Sequence, residues 1–203
     1  MTRKYLDSVY DHIGKGVAEF YDDWAATYEA EVAENGYVTP ARCARALAAH
    51  VADKTTPILD FGCGTGLSGH ALRAQGFTVI DGVDLSAAML EQARSKGIYR
   101  TLTQVTPDTP MAAPPGSYPI IAAIGVIGPG AAPLEVFDTL FDHLPKGGHM
   151  VLSFNDHALQ DPAYEGQIDR GIADRQMHVT FREHGPHLPA RNINSTVYIL
   201  EKL

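Results

Sequence analysis

The chain has little of what would tie a protein to a membrane, a disulfide scaffold or a nucleic acid. Its 203 residues include only two cysteines, Cys43 and Cys63. They make neither a disulfide framework nor a metal-ligand spacing, so a reduced, cytoplasmic protein is expected. No apolar run approaches the length of a membrane span. The longest, Tyr118 to Ile127, is broken by Pro119 and Gly125. The opening Met-Thr-Arg-Lys-Tyr-Leu-Asp-Ser has no apolar stretch of the kind a signal peptide needs. Basic residues are scarce: 16 Lys and Arg stand against 24 Asp and Glu, a net charge of -8. That balance repels polyanions at long range and argues against nucleic acid as the main partner. His178, His184 and His187 fit no tight ligand pair, and no acid or cysteine completes a set. Solvated histidines and no metal site are expected.

What is present is enough for one domain with a sizeable core: 45% hydrophobic and 20% charged residues. Residues 1–54 read as helical. Phe20, Trp24 and Tyr28 recur on one helix face, Gly36 stops that helix, and Pro40 opens the next with Thr39 as its cap. From Thr56 the rhythm becomes strand, helix, strand. Strands are expected at Ile58 to Phe61, Phe77 to Val83, Tyr99 to Val105, Ile120 to Ile124 and His149 to Phe154. Helices are expected at Leu67 to Ala74, from the Ser86 cap to Ala93, and at Leu134 to Leu144. Thr106 to Ser117, with four prolines, is a loop. After a polar helical stretch at 157–175, Met177 to Glu183 and Thr196 to Glu201 read as an antiparallel pair at the sheet edge. The expected fold is α/β: a doubly wound, Rossmann-like, mostly parallel seven-stranded sheet with an antiparallel C-terminal edge. A helical cap at 1–54 precedes a core at 55–203, together forming one structural domain.

One stretch carries most of the chemical information: Pro57-Ile58-Leu59-Asp60-Phe61-Gly62-Cys63-Gly64-Thr65-Gly66, with Asp84 twenty positions after Gly64. A strand that enters a glycine turn and leaves as a helix can hold a nucleoside-bearing ligand at the helix N-terminus, and an acid ending the next strand can hold its ribose. A dinucleotide fingerprint would place its third glycine at position 67, which is Leu67. Asp60 also disfavours a pyrophosphate and favours a cationic amino group. The turn therefore suits a ligand with an ammonium and a ribose.

Three segments carry a more specific resemblance. Ile58 to Gly66 resembles motif I of the class I S-adenosylmethionine-dependent methyltransferases. Gly82-Val83-Asp84-Leu85-Ser86-Ala87-Ala88-Met89 resembles their next segment, and Leu144-Pro145-Lys146-Gly147-Gly148 resembles the turn before their fifth strand. Phe20-Tyr21-Asp22-Asp23-Trp24-Ala25-Ala26-Thr27-Tyr28-Glu29 resembles the helix that covers the cofactor in small-molecule members. Taken with Gly36-Tyr37 and Leu85 to Tyr99, it is most similar to the small methyltransferases related to the Williams–Beuren syndrome region protein.

The resemblance implies S-adenosylmethionine as cofactor and S-adenosylhomocysteine as product. Gly62, Gly64, Thr65 and Gly66 would form the backbone cradle. Asp60 would lie near the methionine amino group and Asp84 would accept the ribose hydroxyls. Leu85 and Met89 would flank the adenine, and Tyr21 and Tyr28 would close over the methionine end. The family often has Gly-Asp after its third strand to hold the adenine amino group. This chain has Leu102-Thr103-Gln104-Val105-Thr106, which leaves Thr103 or Gln104 for that bond. His157, after the fifth strand, is a candidate general base facing the acceptor. The segment Ile124-Gly125-Val126-Ile127-Gly128-Pro129-Gly130 has no Asn/Asp-Pro-Pro-Tyr, which speaks against adenine or glutamine amides as acceptors. A small-molecule acceptor, with no metal, is the expected partner. The alternatives are a non-catalytic module that binds the same cofactor and, on weaker grounds, an NAD-dependent oxidoreductase.

Overall fold

The structure is a computed structural model that describes residues 5–9, 16–111 and 113–203. The rest of the expected N-terminal helical region lies outside the described residues. Six α-helices and seven strands occur among the described residues. Helix α1 spans Val17–Glu34 and α2 Thr39–His50, followed by β1 (Ile58–Phe61), α3 (Leu67–Ala74), β2 (Ile80–Asp84), α4 (Ala87–Ser95) and β3 (Thr101–Gln104). Then come β4 (Ile120–Ala123), α5 (Val136–His143), β5 (His149–Asn155), α6 (Ala163–Ala173), β6 (Met177–Leu188) and β7 (Ile193–Lys202).

The strands form one sheet in the order β3-β2-β1-β4-β5-β7-β6. The first five are parallel, whereas β7 pairs antiparallel with both β5 and β6. This is the expected architecture. The strand order reverses between β1 and β4, which opens a crevice at the carboxyl ends of the strands.

Side-chain alternation sorts each strand between two layers. On one side, Ile58, Ile120, Val197 and Ile199 meet Cys43 and Leu47 of α2 and Leu72 of α3. On the other, Leu59, Ile121, Tyr198 and Leu200 face Phe137 and Phe141 of α5 and Ile168 of α6. Helix α2 is thus a layer of the core. Helix α1 packs separately: Phe20, Trp24 and Val32 meet Leu6, Val9 and Leu188.

Several local expectations change. Thr39 does not cap α2, because the helix already includes it and its hydroxyl bonds His187 and Ser195 instead. Strand β2 begins only at Ile80; Phe77 belongs to the end of the α3 turn, its N–H donating to Leu72 O. The loop expected at 184–195 is mostly strand. Strand β6 runs to Leu188 and turns through a short 3-10 helix, Pro189–Arg191. Pro186 is tolerated there because β6 is the outermost strand and the ladder shifts register between Pro186 and Leu188.

Candidate active site

The turn after β1 is shaped by backbone conformations that favour glycine. Gly62 lies at φ +64°, and a Cβ there would come within 2.2 Å of Val126 Cγ2. Gly64, at φ +52°, has nothing within 4 Å of where a Cβ would stand, so its backbone opens onto free space. Gly66, at φ +93°, shares that conformation, and its missing Cβ also makes room for the Tyr99 ring, 3.1 Å away. The third glycine is absent from the cavity wall.

Asp84 ends β2 directly across from this turn. Its Oδ2 accepts the Gly64 N–H at 2.8 Å and its Oδ1 the Ser86 N–H at 2.9 Å. Each oxygen keeps a lone pair for a further donor. Burial, and then the nearby Asp22 charge, push its carboxyl above the usual range, while the backbone N–H groups pull it back. Ser86 caps α4 as expected, accepting from Met89 N at 3.0 Å.

Asp60 is fully buried and lies one hydrogen bond behind the wall. Its Oδ2 accepts from Ser68 Oγ at 2.6 Å and from Tyr99 Oη at 2.7 Å, and Ser68 lines the cavity. Its Oδ1 is buried with no hydrogen-bond partner. Desolvation raises this carboxyl to about 6. The ordinary value is 3.8, so between the two the folded chain binds the extra proton. Asp60 thus contributes most stability below about pH 4, and that contribution is lost as pH rises through about 6. Urea titrations from pH 4 to 7 should show the stability of the native chain falling relative to Asp60→Asn. A constant difference across that range would rule this out. Cys63 is buried, and desolvation with the Asp60 and Asp84 charges keeps it a thiol.

These residues border a cavity of about 890 Å³, within the range of small-molecule sites. Tyr21, Tyr28, Gly62, Gly64, Thr65 and Asp84 line it, as do Leu85 and Met89. Thr103 and Gln104 do not. They sit exposed on the edge strand β3, where the Gln104 Nε2 donates to Leu85 O at 3.0 Å; Val105 lines the wall in their place. A smaller chamber of about 70 Å³ adjoins, sharing Tyr21, Tyr28 and Tyr37 with the main cavity.

His157 lines neither space; it precedes the short helix Ala158–Gln160. His187 lines the chamber instead, 7% exposed, against the expectation that it is solvated. His178 and His184 are exposed as expected, and no group of three metal-ligating side chains occurs among the described residues. Sequence reasoning also missed Asp22. Its Oδ1 accepts from Ser86 Oγ and from Ala88 N at 3.1 Å, tying α1 to the start of α4. Gln92 to Ala25 O and a Lys96–Glu29 ion pair extend the clasp. The signal was present: an acid on the covering helix facing a capped helix start.

The Methyltransferase domain family model matches residues 32–197. The chain belongs to the methyltransferase domain family. It is 36% identical over 135 residues to human Methyltransferase-like protein 27, covering 65% of this chain and 54% of that protein. It is 32% identical over 118 residues to the yeast 18S rRNA (guanine(1575)-N(7))-methyltransferase, covering 51% and 43%. The chain thus spans about half the length of these curated relatives. Its fold matches an S-adenosylmethionine-dependent methyltransferase from Mesorhizobium loti with TM-score 0.57 and 18% identity, over 78% of this chain and 96% of that one.

The cofactor of a methyltransferase domain of this fold is S-adenosylmethionine, and the residues present fit it. A ribose suits the spare lone pairs of Asp84, the open backbone at Gly64 leaves room for a close approach, and the Asp60 carboxylate behind Ser68 favours a cationic group over an anionic one. Two carboxylates beside the turn do not suit a pyrophosphate, in keeping with family membership and against the oxidoreductase alternative.

Proposed function

We propose that this methyltransferase domain transfers a methyl group from S-adenosylmethionine to a small, largely apolar molecule held beneath α1. The single observation behind this is the cavity itself: one apolar space runs from the Asp84 carboxylate to the tyrosines of α1, which the Asp22 clasp holds in place. Asp84, the Gly62 and Gly64 backbone, Leu85 and Met89 would hold the nucleoside end; Tyr21 and Tyr28 would cover the methionine end, with Asp60 reached through Ser68. When bound, the cofactor supplies an activated methyl group on a sulfonium. The chain's own part is to align the acceptor and exclude water, two effects that can provide much of the acceleration. The similarity to Methyltransferase-like protein 27 favours the small-methyltransferase subgroup anticipated from the sequence.

The name of the yeast relative favours an RNA acceptor as the second reading. The net charge of -8 and the apolar wall weigh against it. Calorimetry with S-adenosylhomocysteine and NADH, then labelled methyl donor offered to a metabolite panel and to rRNA, tests both. Binding of S-adenosylhomocysteine with label appearing in a small molecule is expected. Label in rRNA alone, or cofactor binding with no transfer to either, would overturn the reading, the latter in favour of a regulatory module.

A further inference from the structure

The chamber beside the main cavity is furnished by a buried chain of polar groups that starts at Arg42. This guanidinium donates from Nη1 to Pro186 O at 2.9 Å, Ser195 O at 3.1 Å and Ser195 Oγ at 3.1 Å. From Nη2 it donates to Glu183 O and Glu183 Oε1, each at 3.0 Å. Ser195 Oγ lies 3.1 Å from Thr39 Oγ1, which lies 2.8 Å from His187 Nδ1.

The direction of this chain follows from counting protons. Nη1 shares its two hydrogens among three oxygens, and because Arg42 can only donate, it cannot take the Ser195 hydroxyl hydrogen. The Ser195 hydroxyl hydrogen then goes to Thr39 Oγ1, and the Thr39 hydrogen to His187 Nδ1. The reverse order would place a proton on Nδ1 and leave the buried Ser195 hydrogen with no acceptor, which native interiors avoid. The network therefore assigns the imidazole its proton on Nε2. That atom bonds to no described residue, and it is not among the buried atoms sealed away without a partner. Burial, with the Arg42 and His157 charges, lowers the imidazole to about 4 against the opposing pull of Asp156, so it is neutral at pH 7.

A second donor stands on the same wall. Asn155 lines the chamber, and its Oδ1 accepts from Ala158 N at 3.0 Å, so its amide hydrogens remain to donate elsewhere.

We propose that this chamber is the polar end of the methyl-acceptor site, where His187 Nε2–H and the Asn155 amide receive a carbonyl or carboxylate oxygen of an otherwise apolar acceptor. This rests on the proposed function above. It gives His187 the role of a hydrogen-bond donor that orients the acceptor. As a general base it would have no lone pair to offer: one nitrogen carries the proton and the other is taken by Thr39.

The test uses the full chain labelled with ¹⁵N-histidine. Long-range proton–nitrogen correlation at pH 7 should show His187 as the Nε2–H tautomer. Thr39→Val, which removes the Nδ1 partner, should weaken that preference. The Nδ1–H tautomer or a doubly protonated ring in the native chain would overturn the proposal, whatever the cofactor does. With S-adenosylhomocysteine present, acetophenone should shift the His187 Nε2 resonance and bind about 2- to 10-fold more tightly than ethylbenzene, its analogue without the carbonyl. In His187→Phe that preference should vanish while S-adenosylhomocysteine still binds. Equal binding of the two probes to the native chain would overturn the proposal. Failure to bind S-adenosylhomocysteine would instead count against the functional reading, since the tautomer needs no cofactor to be seen.

Discussion

Asp84→Ala is expected to bind S-adenosylhomocysteine about 10- to 100-fold more weakly than the native chain, a loss of roughly 1–3 kcal/mol. Two effects combine. The ribose would lose its acceptors, and the turn would lose its brace. In the native chain the two oxygens of Asp84 join Gly64 N to Ser86 N, so one side chain sets the distance between the turn after β1 and the start of α4. Removing it leaves both N–H groups to find water. Calorimetry measures the affinity, and a thermal melt shows whether the fold survives. Unchanged affinity in a folded variant would remove Asp84 from the proposed site.

Arg42→Met should lower the unfolding free energy by about 3 kcal/mol or more. Its ion pair with Glu183 supplies little of this, because Glu183 is 55% exposed and water screens it. The larger part comes from the carbonyls of Glu183, Pro186 and Ser195, which Arg42 serves from a position 6% exposed. Methionine fills similar space but donates nothing. Urea denaturation should show a lower midpoint with an unchanged slope. A loss under about 1 kcal/mol would mean that water replaces the guanidinium at all three carbonyls.

The fold was legible because each strand announces itself by a short apolar run and each helix by its turn or cap. Ile58 to Phe61, the Ser86 cap and the helix start after Gly66 needed only local rules. The glycine turn and the acid facing it were legible for the same reason: the places of Gly62, Gly64 and Asp84 follow from backbone conformation and strand ends, which spacing records. Asp60 was only half legible. Its position at the end of β1 was readable, but its seclusion behind Ser68 and Tyr99 depends on a tyrosine thirty-nine residues away. Thr103 and Gln104 were misplaced because the sequence does not say that β3 is an exposed edge. His187 was missed for a longer-range reason. Nothing near it in the chain marks it as buried; its partner Thr39 is 148 residues away and by local rules reads as a helix cap.

The clasp, the turn and the Arg42 chain also divide the chain by origin. Everything proposed to hold the methyl donor's nucleoside lies between residues 58 and 105, one contiguous stretch. The chamber draws instead on separate stretches: Tyr21, Tyr28 and Tyr37 from the first part of the chain, Gly125, Ala131 and Asn155 from its middle, and His187 near the other end. Substitution at His187 or Asn155 can therefore alter what is methylated while the stretch proposed to hold the nucleoside is inherited intact, and redirecting the enzyme means changing these scattered positions together.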